Sequence, residues 1–184
     1  MKEKILDAGQ TMVQDRGLNA VSFQDLADAV GLSKASVFHH FKNKDALAMG
    51  LLKRCQTTYG AQYAEVLAKD LPAPKKLREI AQLFEAGLKS SELCLLGALG
   101  NGSGMLSKEL QAELQSTADA TIDRYKKVFE QGRREGTLTF EGSPKQAATA
   151  FLAMLQGLQV LARAQRDLAA FAKAASSYIQ SITT

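Results

Sequence analysis

Between Ser22 and Phe41 the chain reads SFQDLADAVGLSKASVFHHF, two short apolar-periodic segments separated by a single glycine, and no other stretch limits the fold as tightly. Phe23, Leu26, Ala27 and Val30 fall at i, i+3, i+4 and i+7, one face of a helix of about 3.6 residues per turn. Ser22 stands where an N-cap belongs, and Asp25 follows at the spacing of a capping box. Gly31 falls where the helix must stop and the chain must turn, a backbone position that residues with a Cβ enter only at a cost. Ser33 restarts the helix as a second N-cap. Ala27 is small at the point where two helices joined by so short a turn come closest.

This spacing is that of a helix-turn-helix. The second segment, Lys34 to His40, sends Val37 and Phe41 inward and leaves Lys34, Ala35, Ser36 and His39 on its outer, N-terminal edge. A recognition helix offers that edge to the major groove of duplex DNA. Lys34 can bond guanine acceptors or a phosphate, Ser36 can contact either, and the Ala35 methyl allows close approach or meets a thymine methyl. Asn43 caps a further helix with Lys44 and Asp45 in its first turn. Asp45 suits the helix dipole there and Lys44 opposes it, so a nearby phosphate would account for the lysine.

The 184 residues suit one large domain or two small ones, and the composition is globular. A net charge of +4 favours a polyanion as partner. Eight Lys or Arg against six Asp or Glu in the first 54 residues leave any steering of DNA to local placement. Cys55 and Cys94 lie far apart in sequence without metal-ligand spacing, which argues against a disulfide framework or zinc site and suits a reducing cytoplasm. No signal peptide opens the chain, because Met1 to Gly9 holds no apolar run. The longest uncharged stretch, Gln146 to Ala162, falls short of the ~20 apolar residues of a membrane span. His39 and His40 are adjacent on a helix and point apart, so no metal is expected. The glycines of Gly100 to Gly104 follow no strand and precede no lysine, which removes a phosphate cradle. No nucleophile and base stand at motif spacing, so neither an enzyme nor a cofactor is expected.

No β-alternation persists, and the chain reads as all-α with about nine helices. The first runs from about Lys2 to Arg16 with Ile5, Gly9, Met12 and Val13 inward and Gly17 ending it. The fourth starts at Lys44 and continues until Leu71, Pro72, Ala73 and Pro74 close it. At ~25 residues of ~1.5 Å rise it is a rod long enough to link an N-terminal head with a larger body. A fifth helix from about Lys75 to Lys89, a short sixth from about Glu92 to Leu99, a flexible loop over Gly100 to Gly104, and a seventh from about Ser107 to Arg134 follow. Ser143 and Pro144 open the eighth as N-cap and N1. Its apolar residues, including Ala150, Phe151, Leu155, Val160 and Leu161, cannot all face one core. With a ninth helix from about Leu168 to Ile182, it predicts a two-fold homodimer through helices eight and nine. The domains expected are a DNA-binding head, 1–48, and an effector-binding and dimerisation body, 49–184.

The segment SFQDLADAVGLSKASVFHHFKNKDAL, followed by an all-helical remainder, resembles the TetR family of one-component bacterial transcription regulators. The stretch from Cys94 to Gly136 is similar to the branch containing electrophile- and small-molecule-responsive repressors. The resemblance implies that Ser22, Ser33 and Lys44 touch phosphates while Lys34, Ala35, Ser36 and His39 face the major groove. Phe38 stands where the family often has tyrosine; lacking the hydroxyl, it would pack against sugar or base. Val21 replaces a common threonine and shifts contact to Ser22. The implied activity is a repressor that leaves a palindromic operator when a small hydrophobic or electrophilic effector binds the body or modifies Cys94. The competing reading is a helical small-molecule-binding or protein-interaction module that reads no DNA.

Cys94 is expected in the first turn of helix six, where the positive end of the dipole would favour its thiolate; core packing among Leu93, Leu95 and Leu96 is the alternative. Cys55 lies on an apolar stripe and reads as packing. An effector pocket between helices four to eight would draw on Tyr59, Tyr63, Phe84, Met105, Tyr125, Phe129, Phe151 and Gln159.

Overall fold

A computed structural model describes residues 1–184, the side chain of Ser103 excepted. Among the described residues the chain forms nine α-helices: α1 (Lys2–Arg16), α2 (Phe23–Val30), α3 (Lys34–His40), α4 (Lys44–Ala68), α5 (Ala73–Lys89), α6 (Leu95–Gly100), α7 (Lys108–Glu135), α8 (Pro144–Gln165) and α9 (Leu168–Ser181). Short 3-10 turns cover Leu18–Ala20 and Ser103–Met105, the second within the expected loop after α6. The one β-bridge among the described residues joins Leu138 to Thr183.

The helices group into two compact units, Met1–Thr58 with Ser91–Thr117 and Tyr59–Ser90 with Ala118–Thr184. This division differs from a single cut after residue 48. Leu95 and Leu99 of α6 and Leu110 and Leu114 of α7 enter the same apolar cluster as Ile5, Val13, Leu26, Val37, Leu47, Leu51 and Leu52. Chain order alone assigns α6 to the body; packing assigns it to the first unit. Within that unit Gly9 lets α1 approach closely, since a Cβ there would sit 3.2 Å from Leu47 Cδ1. Burying each such leucine or isoleucine is worth about 1.5–3 kcal/mol.

The second unit is built round aromatic rings. Tyr125, Phe129, Phe151 and Phe171 are fully buried, with Leu77, Ile80, Phe84, Leu155 and Ile179 around them. Helix ends here are satisfied from distant positions. Lys76 Nζ donates to the Leu67 carbonyl at 2.7 Å, and the Ala73 N–H donates to Glu135 at 3.2 Å. That carboxylate at the first turn of α5, together with Pro72 and Pro74, starts the helix at Ala73 rather than at Lys75. Ser143 and Gln146 close a capping box on α8. At 22 residues α8 is long and apolar enough to cross a membrane by length and composition, a correction to the shorter stretch counted in the sequence. It nevertheless buries Phe151, Leu152 and Leu155 against its own unit, as a core helix does.

Candidate nucleic-acid interface

The head is assembled by local hydrogen bonds. Ser22 Oγ accepts from Asp25 N at 3.1 Å and Asp25 Oδ2 accepts from Ser22 N at 2.9 Å, the reciprocal pair of a capping box. Arg16 Nη2 reaches the same carboxylate at 3.0 Å, tying the end of α1 to the start of α2. The backbone N–H of Ser22 first, then its hydroxyl and the Arg16 guanidinium, hold the Asp25 carboxyl below its ordinary pKa. Gly31 adopts φ 67°, ψ 38°, the left-handed conformation that favours glycine. The next residue returns its N–H to the helix, Leu32 N to Ala27 O at 2.9 Å. Ala27, Leu26 and Val37 are fully buried where α2 and α3 meet.

Ser33 Oγ accepts from Ser36 N at 3.2 Å and pairs with Ser36 Oγ at 2.9 Å, so the two hydroxyls brace the start of α3. Lys34, Ala35 and His39 are exposed, and Ser36 is half-buried. Phe38 leaves 45% of its surface open while its ring rests edge-on against Phe23 at 4.7 Å. Val21 is buried and offers nothing outward. Asn43 Oδ1 accepts from Ala46 N at 2.8 Å and caps α4. Lys44 Nζ donates to the Asn19 carbonyl at 2.8 Å, which fixes one of three ammonium protons and aims the group. Four of the residues expected at DNA therefore line one uncovered face of α3 with Ser36 at its margin, Ser22 and Ser33 are exposed at helix starts, and Lys44 is held by a tether.

Sequence reasoning missed Asn19, Arg16 and Lys2, whose ammonium lies 5.7 Å over the Phe41 ring. These contacts join residues on different elements, and no local pattern signals them. The His39 and His40 rings meet edge-on at 5.6 Å. No group of three or more metal-ligating side chains occurs among the described residues.

The residues expected to line an effector pocket are divided between the two units. Tyr59, Tyr63, Phe84, Tyr125, Phe129, Phe151 and Gln159 belong to the second unit, whereas Cys94 and Met105 belong to the first. Met105 is 78% exposed, and its sulfur takes the Asn19 amide at 3.6 Å. In the second unit Tyr63, Tyr125 and Phe151 form an edge-to-face chain with centroid steps of 5.4 and 5.9 Å. Phe129 joins Phe151 at 5.9 Å, and Tyr178, absent from the expected set, stacks on Phe151 at 6.2 Å. Gln159 Nε2 donates to the Phe84 carbonyl at 2.9 Å inside this apolar setting.

Cys94 is also placed differently. Helix α6 begins at Leu95, so Cys94 is its N-cap rather than a first-turn residue, and six residues make a weak dipole. Its position is set from α1: Gln14 Nε2 donates to the Leu93 carbonyl at 2.7 Å and Leu93 N returns to the Gln14 carbonyl at 3.4 Å. Cys94 is half-buried, as is Cys55.

Comparison with known proteins agrees with this geometry. Residues 5–49 match the family model for bacterial regulatory proteins, tetR family. The chain is 24% identical over 172 residues to the HTH-type transcriptional repressor NemR of Escherichia coli K12, covering 90% of this chain and 85% of that one. It is similar in fold to a TetR-family transcriptional regulator from Agrobacterium tumefaciens, with TM-score 0.93, 26% identity, and coverage of 100% of this chain and 97% of the other. AibR, solved in complex with isovaleryl coenzyme A and operator DNA, superposes with TM-score 0.69 at 22% identity over 86% of this chain and 85% of its own.

Proposed function

We propose that this chain is a member of the TetR family of bacterial regulatory proteins, whose model its residues 5–49 match, and that two copies of it repress transcription by seating α3 in the major grooves of a palindromic operator. It is a helix-turn-helix transcriptional regulator. The observation that carries the proposal for the contacts is the uncovered face of α3, where Lys34, Ala35, Phe38 and His39 point out from a segment whose Val37 is fully buried. Lys34 and Ala35 read base edges, His39 and Ser36 flank them, and Ser22, Ser33 and Lys44 hold phosphates. The bond between Lys44 and Asn19 supports that last role by fixing the ammonium. Phe38, backed by Phe23, packs on sugar or base.

The second copy is supported by the outer side of α8. Ala153, Gly157, Val160, Leu161 and Ala164 are exposed along one stripe, Val160 by 58% and Leu161 by 54%. A Cβ added at Gly157 would meet nothing within 4 Å, which leaves room for a neighbouring helix. Together with Leu168 at the start of α9 this is an apolar face suited to its own two-fold image.

Release comes from an effector that binds one arrangement of the two heads better than the other and shifts operator affinity by that difference. The aromatic cluster round Tyr63, Tyr125, Phe151 and Tyr178 suits an apolar or aromatic molecule, and a half-buried Cys94 suits an electrophile. AibR, which binds both a small molecule and operator DNA, illustrates the pairing in the same fold. Two cysteines far apart in sequence, without a disulfide framework, fit a reducing cytoplasm. Footprinting on the DNA upstream of the chain's own gene tests the arrangement: two protected half-sites about 34 Å apart or a multiple of it are expected, and a single unpaired footprint would refute the paired heads.

A further inference from the structure

Asn19, Lys44, Asp45, Met105 and Ser107, all in the first unit, close a circuit of contacts that begins and ends at Lys44. Lys44 Nζ donates to the Asn19 carbonyl at 2.8 Å, and the Asn19 side-chain amide donates to the Met105 sulfur at 3.6 Å. Farther along the same turn the backbone N–H of Ser107 donates to Asp45 Oδ2 at 2.8 Å. Asp45 follows Lys44 in the chain and completes the circuit. Leu106, between the two contacts of the turn, is buried in the apolar cluster of the unit. The circuit is thus seated on the core although Asn19, Met105 and Ser107 are exposed.

Asp45 takes a place that α7 leaves open. The Ser107 hydroxyl accepts from Leu110 N at 3.3 Å, as an N-cap does. In a capping box the residue at the position of Leu110 would return a side-chain acceptor to the N–H of the cap. Leucine has none, and Asp45 supplies that acceptor from the first turn of α4. One carboxylate therefore stands at the starts of two helices, where each dipole favours it.

We propose that Asp45 and the turn ahead of α7 are positioning elements for operator binding, holding the Lys44 ammonium through this circuit where a DNA phosphate meets it. The inference rests on the reading of Lys44 as a phosphate contact and adds Asp45, Asn19 and Met105 behind it. An ammonium carries three protons; the Asn19 carbonyl takes one and leaves the others for phosphate oxygens. A free lysine side chain would lose its rotamer freedom when DNA binds, whereas a tethered one has lost it already. Charge alone gives the opposite expectation for Asp45. A carboxylate beside a phosphate repels it, so its removal would tighten binding if placement of Lys44 did not matter.

The test uses the full-length protein and a duplex from upstream of its own gene. Fluorescence anisotropy is read over a range of salt, and amide hydrogen exchange of Ser107 is read without DNA. Asp45→Ala should lose protection of the Ser107 N–H, bind the duplex about two- to tenfold more weakly, and show a salt slope lowered toward that of Lys44→Ala. Asp45→Asn removes the same charge but keeps an acceptor oxygen, so it should keep both the protection and most of the affinity. In the Lys44→Ala background Asp45→Ala should weaken binding no further, because no ammonium is left to hold. Met105→Ala opens the circuit at an exposed position and decides the question if Asp45→Ala does not fold: it too should weaken binding, and only while Lys44 is present. Binding by Asp45→Ala as tight as wild type or tighter, Asp45→Asn as weak as Asp45→Ala, or losses that add to that of Lys44→Ala would each overturn the proposal. Ser107 protection that depends on Asp45, in a protein whose wild type and Lys44→Ala bind the duplex equally, would instead overturn the reading of Lys44 on which the proposal rests, since the exchange measurement needs no DNA.

Discussion

At Gly31 the backbone has φ 67° and no side-chain atom within 4 Å of where a Cβ would stand. Substitution to alanine therefore costs only the left-handed conformation, about 1 kcal/mol, and thermal melts of Gly31→Ala should show a loss of that size with the fold retained. Gly132 is the opposite case, because a Cβ there would lie 2.3 Å from Leu138 Cδ1. Gly132→Ala should lower the melting temperature further, through the displaced Leu138. Asp25 carries a pH signature. Its pKa falls on folding, so its contribution to stability is complete above the ordinary value of 3.8 and is lost as pH drops through the lower folded value. Melts of wild type and Asp25→Asn from pH 6 downward should diverge least in acid; equal divergence at every pH would contradict the capping role.

At the scale of elements, what could be read in the sequence was whatever local chemistry sets. The bounds of α2 and α3 follow from Ser22, Gly31 and Ser33, all of which act within a few residues of themselves. The start of α8 follows from Ser143 and Pro144 for the same reason. The bounds of α5 and α6 were not legible, because Glu135 on α7 meets the first turn of α5 and Gln14 on α1 holds the residue before Cys94. Likewise the outer face of α3 was visible as a pattern, whereas the tether from Lys44 to Asn19 and the backing of Phe38 by Phe23 were not. Helix α8 carries its own prediction. Leu161→Arg places charge in the exposed apolar stripe and should convert a dimer to monomer in analytical ultracentrifugation at micromolar concentration; an unchanged mass would remove α8 from the interface.

For the whole molecule, the account requires that a modest surface be selective. A net charge of +4 supplies general attraction to DNA, and that part of binding weakens steeply with salt. Lys44→Ala should lower affinity similarly on all sequences and reduce the salt slope by about 1. Lys34→Ala should act on specificity instead, costing about 1–3 kcal/mol on the operator. The most direct measurement is a competition titration of wild type and Lys34→Ala on the chain's own upstream duplex against a scrambled duplex of equal length and salt. Wild type should prefer the upstream duplex by about 10³-fold or more, with most of the preference lost in the variant. Equal affinity for the two duplexes, or a preference untouched by Lys34→Ala, would contradict the assignment of α3 as the element that reads the sequence.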